Sequence, residues 1–149
     1  MCTPNPNLGL FLLPLLLAFA PLSAQTGHPA YLHALADLRH ARAHLEYKSG
    51  GMGFREDEGA AIREIDSAIR EIKEASVDDG KSLSDHPPID LKLDYEGRVH
   101  RALELLRKAR ADCSEEEDNA FAHGLRDRAL RHIDEAIGYT EGALRAVRR

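Results

Sequence analysis

The sequence predicts an all-α protein, an antiparallel up-down-up-down four-helix bundle built from a duplicated αα-hairpin, and three observations carry that expectation. Residues 99–143 repeat residues 31–75 at a constant offset of 68 (99 − 31), without a gap, with 14 identities over 45 aligned positions. Four segments place apolar residues at alternating steps of three and four, and none shows the period of two that a strand requires. Short loops within each hairpin make consecutive helices antiparallel neighbours. The internal duplication is densest where Leu38-Arg39-x-Ala41-Arg42-Ala43 returns as Leu106-Arg107-x-Ala109-Arg110-Ala111, and Ile65-Asp66-x-Ala68-Ile69 as Ile133-Asp134-x-Ala136-Ile137.

The chain opens on an expected signal peptide, residues 1–24. Leu8 to Ala20 is an apolar run too short for a comfortable permanent span, and Leu22-Ser23-Ala24 before Gln25 offers the small residues a signal peptidase reads. The usual Lys or Arg near the N-terminus is missing, and a retained anchor is the competing reading. With no Cys after the small residues, a lipoprotein is not expected. The remaining 125 residues (149 − 24) form one domain, 25–149, large enough for a core. It carries all 45 charged residues (20 + 25) at a net charge of −5, which argues against a nucleic-acid binder, since that would show a basic face. After cleavage Cys113 is alone, so no internal disulfide is available.

The first hairpin spans about residues 29–77. Its first helix runs from Pro29, suited to an opening turn, to Tyr47, with Tyr31, Leu35, Leu38, Arg42 and Leu45 on one face. Ser49-Gly50-Gly51-Met52-Gly53 breaks it. The second helix spans about 56–77 with Ile62, Ile65, Ile69 and Ile72 inward, and Asp78-Asp79-Gly80 ends it. The crossover, 78–94, contains Pro87-Pro88, which forbids helix. The second hairpin covers about 95–148. Its first helix runs to Asp112 with Val99, Leu103, Leu106 and Cys113 inward. Its second begins near Asn119 with Leu130, Ile133, Ile137, Thr140, Leu144 and Val147 inward. A turn near Gly51–Gly53 brings Arg39 level with Asp66, and the duplicate brings Arg107 level with Asp134, predicting a flank ion pair in each hairpin. A paired acid/base role for Asp66 and Asp134 is the weaker alternative, because both sit at the edge of the apolar stripe.

The sharpest chemical pattern lies on the first helix. His33, Asp37, His40 and His44 are spaced four, three and four apart and form one stripe. His40 and His44 at i,i+4 can both reach one Cu(II) or Zn(II) ion, with Asp37 or His33 as a third ligand. Measured from Leu35 and Leu38 the stripe points to solvent, so the competing reading is an ordinary solvated face. The duplicate replaces the stripe with Arg101, Leu105, Lys108 and Asp112. His132 and Glu135 are expected to face outward, His100 to sit on a flank, His28 and His123 to begin segments and His86 to lie in the Pro-containing turn. Di-iron chemistry would need inward Glu and Glu-x-x-His pairs, and haem attachment a Cys-x-x-Cys-His unit; neither occurs. Ala75-x-x-x-x-Gly80-Lys81-Ser82 matches a relaxed phosphate-loop pattern, but it follows a helix, and Asp78-Asp79 would repel phosphates. Cys113 reads as a small buried residue, with a disulfide-linked dimer as the alternative. No nucleophile elbow and no Ser-His-Asp set can be assembled, so no enzyme is expected.

The strings Tyr31-Leu32-His33-Ala34-Leu35-Ala36-Asp37-Leu38-Arg39, Asp78-Asp79-Gly80-Lys81 with Asp85-His86-Pro87-Pro88, and His132-Ile133-Asp134-Glu135-Ala136-Ile137 resemble those of uncharacterised small secreted bacterial helical-bundle proteins. Residues 132–137 and the His-bearing first helix are also similar, more weakly, to small periplasmic metal-binding four-helix proteins, which are far richer in His. These resemblances imply an exported bundle, and the second implies a metal ligand. The expectation is a secreted, periplasmic or extracellular, non-enzymatic binding protein of the cell envelope. It would bind a divalent metal through surface His, with no nucleic acid and no permanent membrane span. The alternative is a structural protein that assembles with itself or with an envelope partner. What repeats is scaffold, so a specific function is expected in what does not: the His stripe, the Pro-Pro crossover and Cys113.

Overall fold

A computed structural model describes residues 29–47, 56–75, 79–115 and 123–147. The expected signal peptide, the Gly-rich break and the start assigned to the last helix at Asn119 lie outside the described residues. Among those residues the chain forms four helices and no strand: α1 (Pro29–Glu46), α2 (Glu56–Ala75), α3 (Tyr95–Glu115) and α4 (His123–Val147). Several boundaries have a local cause. Pro29 opens α1, where a missing N–H costs nothing. Glu56, Asp57 and Glu58 place negative charge in the first turn of α2. Asp94 caps α3, its Oδ1 accepting from Gly97 N at 2.7 Å. Gly80, at φ 67°, takes the left-handed turn that leads the chain away from α2.

The core is aliphatic and rich in alanine. Leu35, Leu38, Ile65, Ile69, Ile72, Leu106 and Ile133 are fully buried, with Ala34, Ala41, Ala61, Ala68, Ala102, Ala109, Ala129, Ala136 and Ala143 between them. Small residues at this density let helix axes approach closely. Where α2 and α4 meet, a methyl group on Gly142 would come within 2.9 Å of Asp57 Oδ2. Cys113 is buried in the same core and in no disulfide. Thr140, also buried, returns its hydroxyl to Ala136 O at 2.7 Å. No helix among the described residues is long and apolar enough to cross a membrane.

The helices form two layers, α1 with α3 and α2 with α4, joined along α3–α4 and more lightly along α1–α2. The diagonals are therefore α1/α4 and α2/α3. Cross-helix contacts give the directions. Lys108 reaches Asp37 while Arg98 lies over the Tyr47 ring, so α3 is antiparallel to α1. Arg128 meets Glu71 while Asp57 meets Gly142, so α4 is antiparallel to α2. Tyr95, the first residue of α3, donates its hydroxyl to Glu58 at the start of α2, so those two helices begin at the same end.

The order is thus up-down-down-up, which corrects the alternating order expected from sequence. The crossover is the reason. Residues 76–94 number 19 (94 − 76 + 1), and such a segment, extended at about 3.3 Å per residue, spans a 20-residue helix of roughly 30 Å with slack. The short-loop rule therefore does not govern it. The described part runs along the outside of α1, from Asp79 beside Arg39 to Ile89 beside Tyr47.

Candidate functional site

The crossover is fastened to α1 by a buried ion pair. Arg39, 1% exposed, donates from Nη1 to Asp79 Oδ2 at 2.8 Å and from Nη2 to Asp79 Oδ1 at 2.9 Å. A third bond runs from Nη2 to Lys81 O at 3.3 Å. Arg39 holds the Asp79 carboxyl below its usual range, against the opposing effect of burial. The expected Arg39–Asp66 and Arg107–Asp134 bridges are not the ones formed. Asp66 is held by Arg42 Nε at 2.8 Å, Asp134 by Arg110 Nε at 2.5 Å, and Arg107 pairs with Glu141 at 3.0 Å. The register of each hairpin is displaced by one helical turn, because Arg42 and Arg110 sit three residues on from the residues expected. Each of the two carboxylates is held by a guanidinium.

The stripe on α1 is divided rather than presented whole. His33 is exposed near the start of the helix. Asp37 accepts from Lys108 Nζ at 2.6 Å. His40 is half-buried, and His44 is only 3% exposed, which corrects the expectation of a solvent-facing set. The geometric reason lies in the alanines. His44 is three residues from the fully buried Ala41, hence about 60° around the helix from it, and α3 packs on that side. A face judged from Leu35 and Leu38 alone is too narrow.

His40 and His44 face each other with ring centroids 4.8 Å apart and planes tilted by 35°. Burial is the main force keeping both rings neutral. Arg101 adds to it at both rings, and Arg98 and His40 add further at His44, whose pKa is pushed down to about 4. His86, carried by the crossover, is near enough to act electrostatically on both. His40 Nε2 and His44 Nδ1 are buried with no hydrogen-bond partner among the described residues. Two grooves flank the place where the crossover passes α1, both touching His86. One of about 370 Å³ is lined by Ala36, Arg39, Lys81, Asp85 and Pro87, and one of about 290 Å³ by Ala43, Glu46, Tyr47 and Ile89. The His-bearing helix and the Pro-Pro crossover, two of the three unrepeated features, therefore meet.

The phosphate-loop pattern builds no such loop. Residues 79–94 form turns and extended chain, so no helix N-terminus follows Gly80-Lys81-Ser82, and Asp79 occupies the nearest guanidinium.

On the other layer the structure assembles a group that the sequence reading did not single out. Glu64 Oε2 lies 2.6 Å from His132 Nδ1, and Glu135 stands one turn along α4 from that ring. One ligand atom from each of the three lies within 4.8 Å of the others. His132, expected to face outward, is half-buried because α2 closes against it. A sequence signal existed. Glu64 and His132 are separated by 68, the offset at which the two sequence segments align. Compared with family models, with curated proteins and with solved structures, the chain matches none.

Proposed function

We propose that this protein is an exported, non-enzymatic helical-bundle binding protein of the cell envelope that takes a divalent metal, Cu(II) or Zn(II), at the paired imidazoles of α1. The observation that carries the reading is the pair of orphaned nitrogens, His40 Nε2 and His44 Nδ1. A buried polar atom without a partner costs about 1–3 kcal/mol, and a coordinated ion removes that cost. Both rings are held neutral, so at neutral pH no proton has to leave before a metal can bind. His86 acts electrostatically on both rings from the crossover and would have to move in to serve as a third imidazole, since among the described residues its ligand atoms are not grouped with theirs. The imidazole chemistry favours copper and zinc over magnesium or calcium. Arg98 and Arg101 oppose any cation there, which limits the affinity. Export fits this ligand, since outside the cytosol copper and zinc are not held by cellular thiols.

The architecture supports a further reading, that one hairpin is used twice about a twofold axis across the bundle. Arg42–Asp66 and Arg110–Asp134 both span 24 residues, and they lie 68 apart in sequence. Each helix also packs antiparallel against the helix 68 residues away.

The test uses the untagged chain from residue 25, titrated with Cu(II) and then Zn(II) by calorimetry while light scattering follows its mass. Copper binding at least tenfold weaker in a His40→Ala/His44→Ala variant is the expected result. Equal affinity in that variant would end the proposal, and a rise in mass without metal would favour self-assembly instead.

A further inference from the structure

The layer formed by α2 and α4 carries a different set of donors, and it stands or falls independently of the imidazole pair on α1. We propose that Glu64, His132 and Glu135 form a zinc site that bridges α2 and α4. Three observations support it. The donors come from two antiparallel helices, and one ligand atom of each lies within 4.8 Å of the others. In a tetrahedral site with bonds near 2.1 Å, ligand atoms are roughly 3.4 Å apart, so closure asks for about an ångström of movement. The two Glu side chains supply it by rotation, since Glu64 is only half-buried and Glu135 exposed. Second, His132 Nδ1 and Glu64 Oε2 are already 2.6 Å apart. On binding, the ring proton shared with Glu64 passes from Nδ1 to Nε2, zinc takes its place between Nδ1 and Oε2, and the second carboxylate comes from the next turn of α4.

Third, the charges suit the ion. Two carboxylates and a neutral imidazole balance a divalent cation. The guanidinium one turn before His132 on α4, Arg128, is already held by Glu71 at 2.9 Å. Glu135 makes no hydrogen bond or ion pair among the described residues, so binding breaks nothing there. One imidazole and two carboxylates with open positions for water make a harder site than the His pair on α1, which is why zinc is assigned here. A metal shared by α2 and α4 would also clamp together the two helices that form this layer.

The experiment takes the untagged chain from residue 25 with His40→Ala/His44→Ala, stripped with EDTA, so that α1 contributes no imidazole pair. Zinc is titrated by calorimetry, and the imidazole resonances are followed by NMR. The expected result is one equivalent of zinc bound, with the His132 ring signals moving and the melting temperature rising. Glu135→Gln should weaken binding at least tenfold while leaving the metal-free melting temperature unchanged, because that side chain holds no structural contact. His132→Ala should abolish binding. Zinc affinity unchanged in Glu135→Gln, or no uptake at millimolar zinc in a folded protein, would overturn the proposal. Because α1 is already silenced, neither result depends on whether copper binds His40 and His44.

Discussion

At His44, burial and neighbouring charge act in one direction. The ring lies between α1 and α3, facing Arg98 and Arg101 from α3, His86 from the crossover and His40 one turn back, and its pKa falls from 6.5 to about 4. The consequence for the metal-free protein follows from linkage. Above pH 6.5 the ring is neutral in both folded and unfolded chains, so its contribution is fully present. As pH falls from 6.5 towards 4, the unfolded chain takes up a proton that the native state refuses, and stability is lost. The loss is on the order of 2–3 kcal/mol across that window, and His40, shifted the same way, steepens it. Urea denaturation in EDTA at pH 7.5, 6 and 5 should show this decline in the wild type and a shallower one in His44→Gln. Identical slopes would show that the ring does not titrate differently on folding. The pairing of His40 with His44 was legible in their spacing, since i,i+4 residues share a face. Their burial was not, because it depends on Ala34 and Ala41 letting α3 close over that side, and alanine gives little hydrophobic signal.

Among the elements, the crossover departs furthest from what spacing suggests, and Arg39–Asp79 is its anchor. Both side chains are nearly inaccessible, at 1% and 8%, and the pairing is bidentate. Asp79→Ala would leave Arg39 charged and unpaired in the interior, a loss of about 3–5 kcal/mol. The Arg110–Asp134 pair offers the contrast, since both of its side chains are about half exposed and water screens them. Asp134→Ala is expected to cost less than about 1 kcal/mol. Thermal unfolding of the two variants side by side measures the difference, and an Asp79→Ala loss no larger than that of Asp134→Ala would remove the anchor from the account. The helices themselves were legible: Pro29, Asp78-Asp79-Gly80 and the Pro87-Pro88 interruption are signals that local chemistry fixes. Ion-pair register was not. Arg39 and Arg42 both lie in the repeated unit, and the midpoint of the observed pair, residue 54 from (42 + 66)/2, differs from 52.5 for the expected one by only 1.5 residues.

For the whole molecule, the repeat predicted which helices resemble each other, and the structure pairs each with its counterpart: α1 with α3, α2 with α4. Sequence periodicity does not encode helix direction beyond a short loop, and a 19-residue crossover permits either direction for α3. Contact chemistry decides it. Glu58 and Tyr95 meet at the shared starting end of α2 and α3, whereas in an alternating bundle those two ends would be separated by the bundle length, roughly 30 Å for a 20-residue helix. Spin labels on Glu56→Cys and Glu96→Cys, in the chain from residue 25, which lacks Cys2, with Cys113 replaced by Ser, measure this directly. Both positions lie in first turns, Glu56 exposed and Glu96 half-buried, so neither label must enter the core. A label separation well under 30 Å is the expected result, and one near or above it would restore the alternating order. The answer bears on the metal proposal for α1. Only with α1 and α3 antiparallel do Arg98 and Arg101, near the start of α3, flank His44 near the end of α1. Glu64 and His132 lie near the middle of α2 and α4 and would be level in either direction. Direction, set by the unrepeated crossover, thus decides which positions meet near the helix ends.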